Sequence, residues 1–262
     1  MDKATLKQLG AELYHSAKTR ERSPVISKMY PDFSVEDAYE VQRHMLECYS
    51  NDGYHFSGRK VGMTSSAMRE QFGIEEPDYG YLIEECKYEN DAQLDCGAFL
   101  DPMVEAEIAF VLKDDLDQEN VSAADVRAAT EYIVAALEII DARTQHFDTT
   151  IQDSIADNAS FGAYVTGDII LSPEDKDLSL LGIIVEKNNK QITTSSGASV
   201  MGDPANAVAW LANKMKSLGE PLKKGEFVLS GSFISAIPVK AGDVVAVRYG
   251  GLGEMRVGFQ EV

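Results

Sequence analysis

The sequence predicts an α+β fold: a β-rich body preceded by a small helical part. Apolar residues in the first ~75 positions recur at helical spacing, whereas from about residue 80 short apolar runs alternate with turn signals. No internal repeat, low-complexity stretch or flexible linker interrupts the 262 residues, so one compact unit is expected. Residues 1–75 form its helical part and residues 76–262 its β-rich part, which carries most of the candidate chemistry.

The elements follow in order. Leu6, Leu9, Leu13 and Ala17 mark one face of a first helix. Ser34-x-x-Asp37 has the form of a capping box, Val41, Met45 and Tyr49 continue that helix, and Asn51-Asp52-Gly53 stops it. A shorter helix ending at Gly73 is expected after the segment Gly58-Arg59-Lys60-Val61-Gly62-Met63-Thr64. Pro77-Asp78-Tyr79-Gly80 reads first as a β-turn. Val104–Leu112 and Ile133–Ile140 read as strands, with Ser122-x-x-Asp125 capping a helix between them. Asp203-Pro204 opens another helix, with proline in the first turn where its missing N–H costs nothing. Val208, Leu211, Met215 and Leu218 form its expected buried stripe, and Gly219 closes it. Gly231, Pro238, Gly242 and Gly250-Gly251 punctuate a β-rich remainder.

Composition narrows the function. Hydrophobic residues make up 44% and charged residues 26%, the balance of a water-soluble globular chain. The net charge of −19 repels phosphate backbones and excludes a nucleic-acid partner. No segment reads as a membrane span or a signal peptide, and Cys48, Cys86 and Cys96 are scattered without a CxxC pair. The expectation is a cytoplasmic protein with incidental thiols.

The segment Val104-Glu105-Ala106-Glu107-Ile108 places two carboxylates side by side, since residues two apart on a strand share a face. Glu138 stands alone inside the apolar run Val134–Ile140. Buried, such groups must be neutralised by protons or a cation. Three of them converging would suit a hard divalent ion, Mg²⁺ or Mn²⁺, and no Cys/His cluster argues for zinc. The bland alternatives are a solvated ExE edge and a Glu138 paired with Arg143. Lys60 has small and apolar neighbours; near a metal or in an apolar pocket its pKa would fall and it could serve as acid or base, and otherwise it is a surface strand lysine. Asp157-Asn158-Ala159-Ser160 and Ser230-Gly231-Ser232 could bind an anion or simply satisfy their own turns. His146 lies in a polar loop, Arg143–Asp148, that could close over a pocket.

Together the segments Gly58–Thr64, Glu76–Gly80, Val104–Ala109, Ala136–Arg143, Ala156–Ser160 and Gly202–Leu211 resemble the 2-oxopent-4-enoate (2-hydroxypenta-2,4-dienoate) hydratases and 4-oxalocrotonate decarboxylases of the fumarylacetoacetate hydrolase superfamily. The resemblance runs through nearly the whole chain. It implies the superfamily's mixed β-sheet roll, a homo-oligomer, and Glu105, Glu107 and Glu138 as ligands of Mg²⁺ or Mn²⁺. It implies Lys60 as the acid/base residue, with Asp78 and Ser160 touching substrate or water. The implied reaction hydrates an unsaturated 2-hydroxy/2-oxo acid to a 4-hydroxy-2-oxo acid in aromatic-compound degradation, with an aldolase downstream or a related decarboxylase as partner enzyme. Rival readings are decarboxylation through the same enolate, C–C hydrolysis, for which no water-activating His–Glu pair is identified, and a non-catalytic metal-binding module.

Overall fold

The computed structural model describes residues 1–66, 69–70, 73–144 and 149–261. It opens with helices α1 (Lys3–Thr19), α2 (Ile26–Met29) and α3 (Val35–Asn51). Asp2 caps α1, and Ser34 caps α3 by accepting from the Asp37 N–H. Leu6, Leu9 and Leu13 pack with Val41, Met45 and Tyr49 into one apolar cluster, as their spacing predicts. Burying each such large apolar side chain contributes about 1.5–3 kcal/mol.

Strand β1 (Phe56–Gly62) follows directly, so sheet begins inside the stretch read as helical, and the predicted helical spacing holds only through Asn51. Lys60 is central to that strand. The short helix expected before Gly73 includes residues 67, 68, 71 and 72, which lie outside the described residues. Strand β2 (Asp78–Ile83) replaces the turn expected at Pro77–Gly80: Asp78 already pairs with Gly62, and Gly80 with Lys60. The ladder's hydrogen bonds and the burial of Asp78, Tyr79 and Gly80 outweigh their local turn preference.

The remaining strands are β3 (Lys87–Glu89), β4 (Ala92–Asp95), β5 (Met103–Leu112), β6 (Thr130–Ile140), β7 (Phe161–Leu171), β8 (Gly182–Lys187), β9 (Lys190–Ser196), β10 (Phe227–Leu229), β11 (Ile237–Pro238), β12 (Val244–Tyr249) and β13 (Gly253–Gln260). Helices α4 (Ala123–Ala129), α5 (Ile151–Ala156) and α6 (Pro204–Ser217) lie between them. One eight-stranded mixed sheet runs β2-β1-β10-β5-β6-β7-β3, with β11 also on β5, and a five-stranded sheet runs β4-β13-β12-β8-β9. The capping box at Ser122–Asp125 forms as expected. Along α6, Val208, Leu211 and Met215 are buried, but Leu218 is 52% exposed, because the helix ends at Ser217 and the chain turns away. No described helix is long and apolar enough to cross a membrane.

Alternation along β5 divides the interior in two. Ala106, Ile108 and Phe110 join the main core with Val245, Val247 and Val257 of the second sheet and with α6. Ala109 belongs instead to the core under the N-terminal helices, with Val134 and Ala136 of β6 and Leu229 of β10. Glu105 and Glu107 share the face of Ala109, so they open toward that helical side.

Candidate active site and metal centre

Strand register brings the carboxylates together. Glu105 on β5 pairs directly with Glu138 on β6, and Glu107 lies two residues further along the same face. Each of the three offers an oxygen within 4.8 Å of the others. Glu107 and Glu138 are almost completely buried, so the solvated-edge reading of the ExE pair does not describe this molecule. Arg143 does not neutralise Glu138; its Nε lies 3.4 Å from Asp157 Oδ1, and its main-chain N–H donates to Asp157 at 2.8 Å.

Two further groups complete the cluster from other strands. Lys60 Nζ on β1 lies 2.6 Å from Glu138 Oε1 and donates to the Ala159 carbonyl at 2.9 Å. The Gly231 N–H donates to Glu107 Oε2 at 2.8 Å. The anion met by the small-residue segment Ser230-Gly231-Ser232 is thus a protein carboxylate. Gly231 holds φ +103°, in the region that favours glycine, and a Cβ there would collide with the Thr64 side chain.

The turn that anchors Lys60 is left-handed over three residues, Asn158 (φ +53°), Ala159 (φ +50°) and Ser160 (φ +56°). Non-glycine residues keep such a conformation only where their surroundings over-determine it. Here fully buried Asn158 brackets Tyr81 on β2, accepting from its N–H at 2.8 Å and donating to its carbonyl at 2.9 Å. Gly80 permits the approach, since a Cβ there would sit 2.7 Å from the Asn158 carbonyl oxygen. Asn158→Ala leaves two buried main-chain groups unpaired, at about 1–3 kcal/mol each. The expected loss of stability is roughly 2–6 kcal/mol on that basis, read as a lower urea midpoint; an unchanged midpoint would show that the bracket is dispensable.

Asp78 and Ser160, the other two candidates, differ in setting. Asp78 is 2% exposed, its Oδ2 lies 3.5 Å from Ser154 Oγ, and its Oδ1 has no hydrogen-bond partner among the described residues. Ser160 ends the left-handed turn, its carbonyl accepting from the Asp141 N–H at 2.8 Å. Beside Asp78 opens a cleft of about 780 Å³ whose wall includes Ser154, Pro77 and Met63. His146 lies outside the described residues. The wall of that cleft includes none of the carboxylate trio, Lys60 or Asp78 itself, and meets Asp78 through Ser154. A separate cavity of about 170 Å³, with Tyr49, Cys86 and Arg143 in its wall, includes none of these groups either and lacks that contact.

The electrostatics follow from burial. Burial first, then the charge of Glu138, raises the Glu105 carboxyl to about 7. Burial and both neighbouring glutamates hold Glu107 well above the ordinary carboxylate range. Burial also raises Glu138, against the opposing pull of Lys60. Burial works to lower Lys60, but Glu138 and then Glu105 outweigh it, and its pKa rises. That direction is opposite to the one expected from the apolar neighbours of Lys60, because the carboxylate field dominates. Asp78 is raised by burial.

Three carboxylates from two adjacent strands, Glu107 and Glu138 buried and Glu105 half-buried, held by a single lysine and a single main-chain N–H among the described residues, carry excess negative charge. Lys60 Nζ, 2.6 Å from Oε1, is the cation paired with Glu138 among the described residues, and no described main-chain N–H donates to that carboxylate. This all-oxygen donor set fits a hard divalent cation. Sequence reasoning located the five acidic and basic groups but missed Ser154, the Ala159 carbonyl and the structural role of Asn158. Main-chain partners leave no residue signature, and Ser154 lies far from Asp78 along the chain.

A family model described as fumarylacetoacetate (FAA) hydrolase C-terminal matches residues 92–260. The chain is 42% identical over 221 residues to a 2-hydroxypent-2,4-dienoate hydratase of Pseudomonas putida, covering 84% of this chain and 99% of that one. It is 37% identical over 248 residues to a 2-keto-4-pentenoate hydratase of Paraburkholderia xenovorans (strain LB400), covering 95% and 92%. Among solved structures it resembles a 4-oxalocrotonate decarboxylase from Pseudomonas putida G7, complexed with magnesium and adipate, with a TM-score of 0.96 and 32% identity over 99% of this chain and 98% of that one.

Proposed function

The chain belongs to the fumarylacetoacetate hydrolase family, and on that premise we propose that it is a hydro-lyase converting 2-hydroxy-2,4-dienoates to 4-hydroxy-2-oxo acids. The observation that carries this reading is the clustered trio of half-buried Glu105 with buried Glu107 and Glu138, and Lys60 Nζ 2.6 Å from Glu138. The trio would hold a divalent cation, Mg²⁺ or Mn²⁺. When bound, that ion supplies the positive centre that an acidic protein otherwise lacks for a substrate carboxylate and for the enolate-like charge at C2.

The chain's own groups supply the proton handling. Lys60, an ammonium fixed by Glu138 and by the Ala159 carbonyl, gives up a proton to C5 as the dienol ketonises and, as the amine so formed, takes the proton leaving the C2 hydroxyl. The product of this exchange is a 2-oxo-3-enoate. Water then adds at C4, its hydroxyl remaining there and its proton ending at C3, which balances the hydration. Asp78, with one carboxyl oxygen lacking a hydrogen-bond partner among the described residues, orients that water or the substrate. Ser160 is the second contact proposed beside it. The product belongs to the class that a retro-aldol lyase consumes.

Product analysis tests the assignment. Purified protein with Mg²⁺ and 2-hydroxypenta-2,4-dienoate is expected to give 4-hydroxy-2-oxopentanoate, identified by mass spectrometry. Release of CO₂ from 4-oxalocrotonate with no hydrated product from the dienoate would assign a decarboxylase instead.

A further inference from the structure

The cleft beside Asp78 has a chemistry of its own. Apolar side chains of Val35, Tyr39, Ile74 and Ile151 form much of its wall. The acidic residues of that wall are Glu36, Glu75 and Glu76, of which Glu76 is paired with Lys214 at 2.7 Å. Glu36 and Glu75 are exposed at the cleft surface. The cleft adjoins the reacting cluster through Ser154, whose Oγ lies 3.5 Å from Asp78 Oδ2, and through Met63, which follows β1 three residues after Lys60.

Resting on the hydratase reading above, we infer that the enzyme selects monocarboxylic dienoates with a neutral, apolar distal end and discriminates against dicarboxylates. With its C1 carboxylate at the Lys60 end, a substrate would extend past Asp78 and Ser154 toward this cleft. Methylene and methyl groups there gain from leaving water against Val35, Tyr39, Ile74 and Ile151. A second carboxylate would lose hydration against the same wall and meet the like charges of Glu36 and Glu75. Specificity of this kind comes from a repulsive element as much as from an attractive one.

The test compares two substrates of equal chain length, 2-hydroxyhepta-2,4-dienoate and 2-hydroxyhepta-2,4-diene-1,7-dioate. The expected kcat/KM for the dioate is roughly 10–100-fold lower, a usual scale for an apolar site with like charge nearby. Raising the salt from about 0.01 to about 0.15 M shortens the screening length several-fold and should narrow the gap. The double variant Glu36→Lys, Glu75→Lys should move the dioate-to-monoacid ratio at least tenfold toward the dioate. Calorimetric binding of 2-oxoheptanoate and 2-oxoheptanedioate to the Mg²⁺-loaded protein reads the same discrimination without turnover. Equal or better use of the dioate, or a ratio unmoved in the double variant, overturns the inference. Tighter binding of the monoacid with no turnover of either dienoate leaves the inference standing and removes the hydratase reading.

Discussion

Lys60→Ala is expected to lower kcat by roughly 10²–10⁴-fold, the range for losing a positioned general acid/base. Lys60 is 3% exposed and its ammonium sits between Glu138 and the Ala159 carbonyl, so no bulk water can take its place without rearrangement. Metal affinity should not collapse, because the three glutamates remain, and removing a neighbouring positive charge favours a cation. Lys60→Arg should not restore the rate, since guanidinium holds its proton at any working pH and its planar fork does not match the ammonium's place. Steady-state kcat and KM, with metal affinity by calorimetry, decide the matter. A near-normal kcat in Lys60→Ala, or an arginine variant that retains most of the rate, would show that Lys60 only anchors substrate.

Removal of divalent metal by chelator is expected to abolish turnover, and Mg²⁺ or Mn²⁺ to restore it. The physical ground is the excess charge of Glu105, Glu107 and Glu138, whose carboxyls are all held above their ordinary pKa. Glu138→Gln keeps the shape and removes one ligand charge together with the partner of Lys60. It should weaken metal binding by at least roughly tenfold, about 1.4 kcal/mol or more, and prevent restoration at ordinary metal concentrations. Full activity in metal-free protein would rule out the trio as a catalytic metal centre. Rescue by zinc alone would contradict a hard, all-oxygen site.

The sequence by itself determined the parts of this protein that depend on local pattern. Helical spacing marked α1 and α3, the Ser122–Asp125 pair marked a capping box, and alternation along Val104–Leu112 set Glu105 and Glu107 on one face. Glu138 was legible as an anomaly, a carboxylate inside an apolar run, and matched motif order pointed to the family. The tertiary structure alone decided what those groups meet. Register put Glu138 opposite Glu105, the parallel pairing of β1 with β10 and the left-handed turn at Asn158–Ser160 delivered Lys60 to them, and Asp157 claimed Arg143. It also made Asp78 a buried strand residue where local preference favoured a turn, and it reversed the direction of the Lys60 pKa. The reason is common to all of these. Periodicity and capping act over three or four residues, whereas charge fields and strand register join positions from 14 (Arg143 and Asp157) to 169 (Lys60 and Leu229) apart in the chain, which no local spacing records.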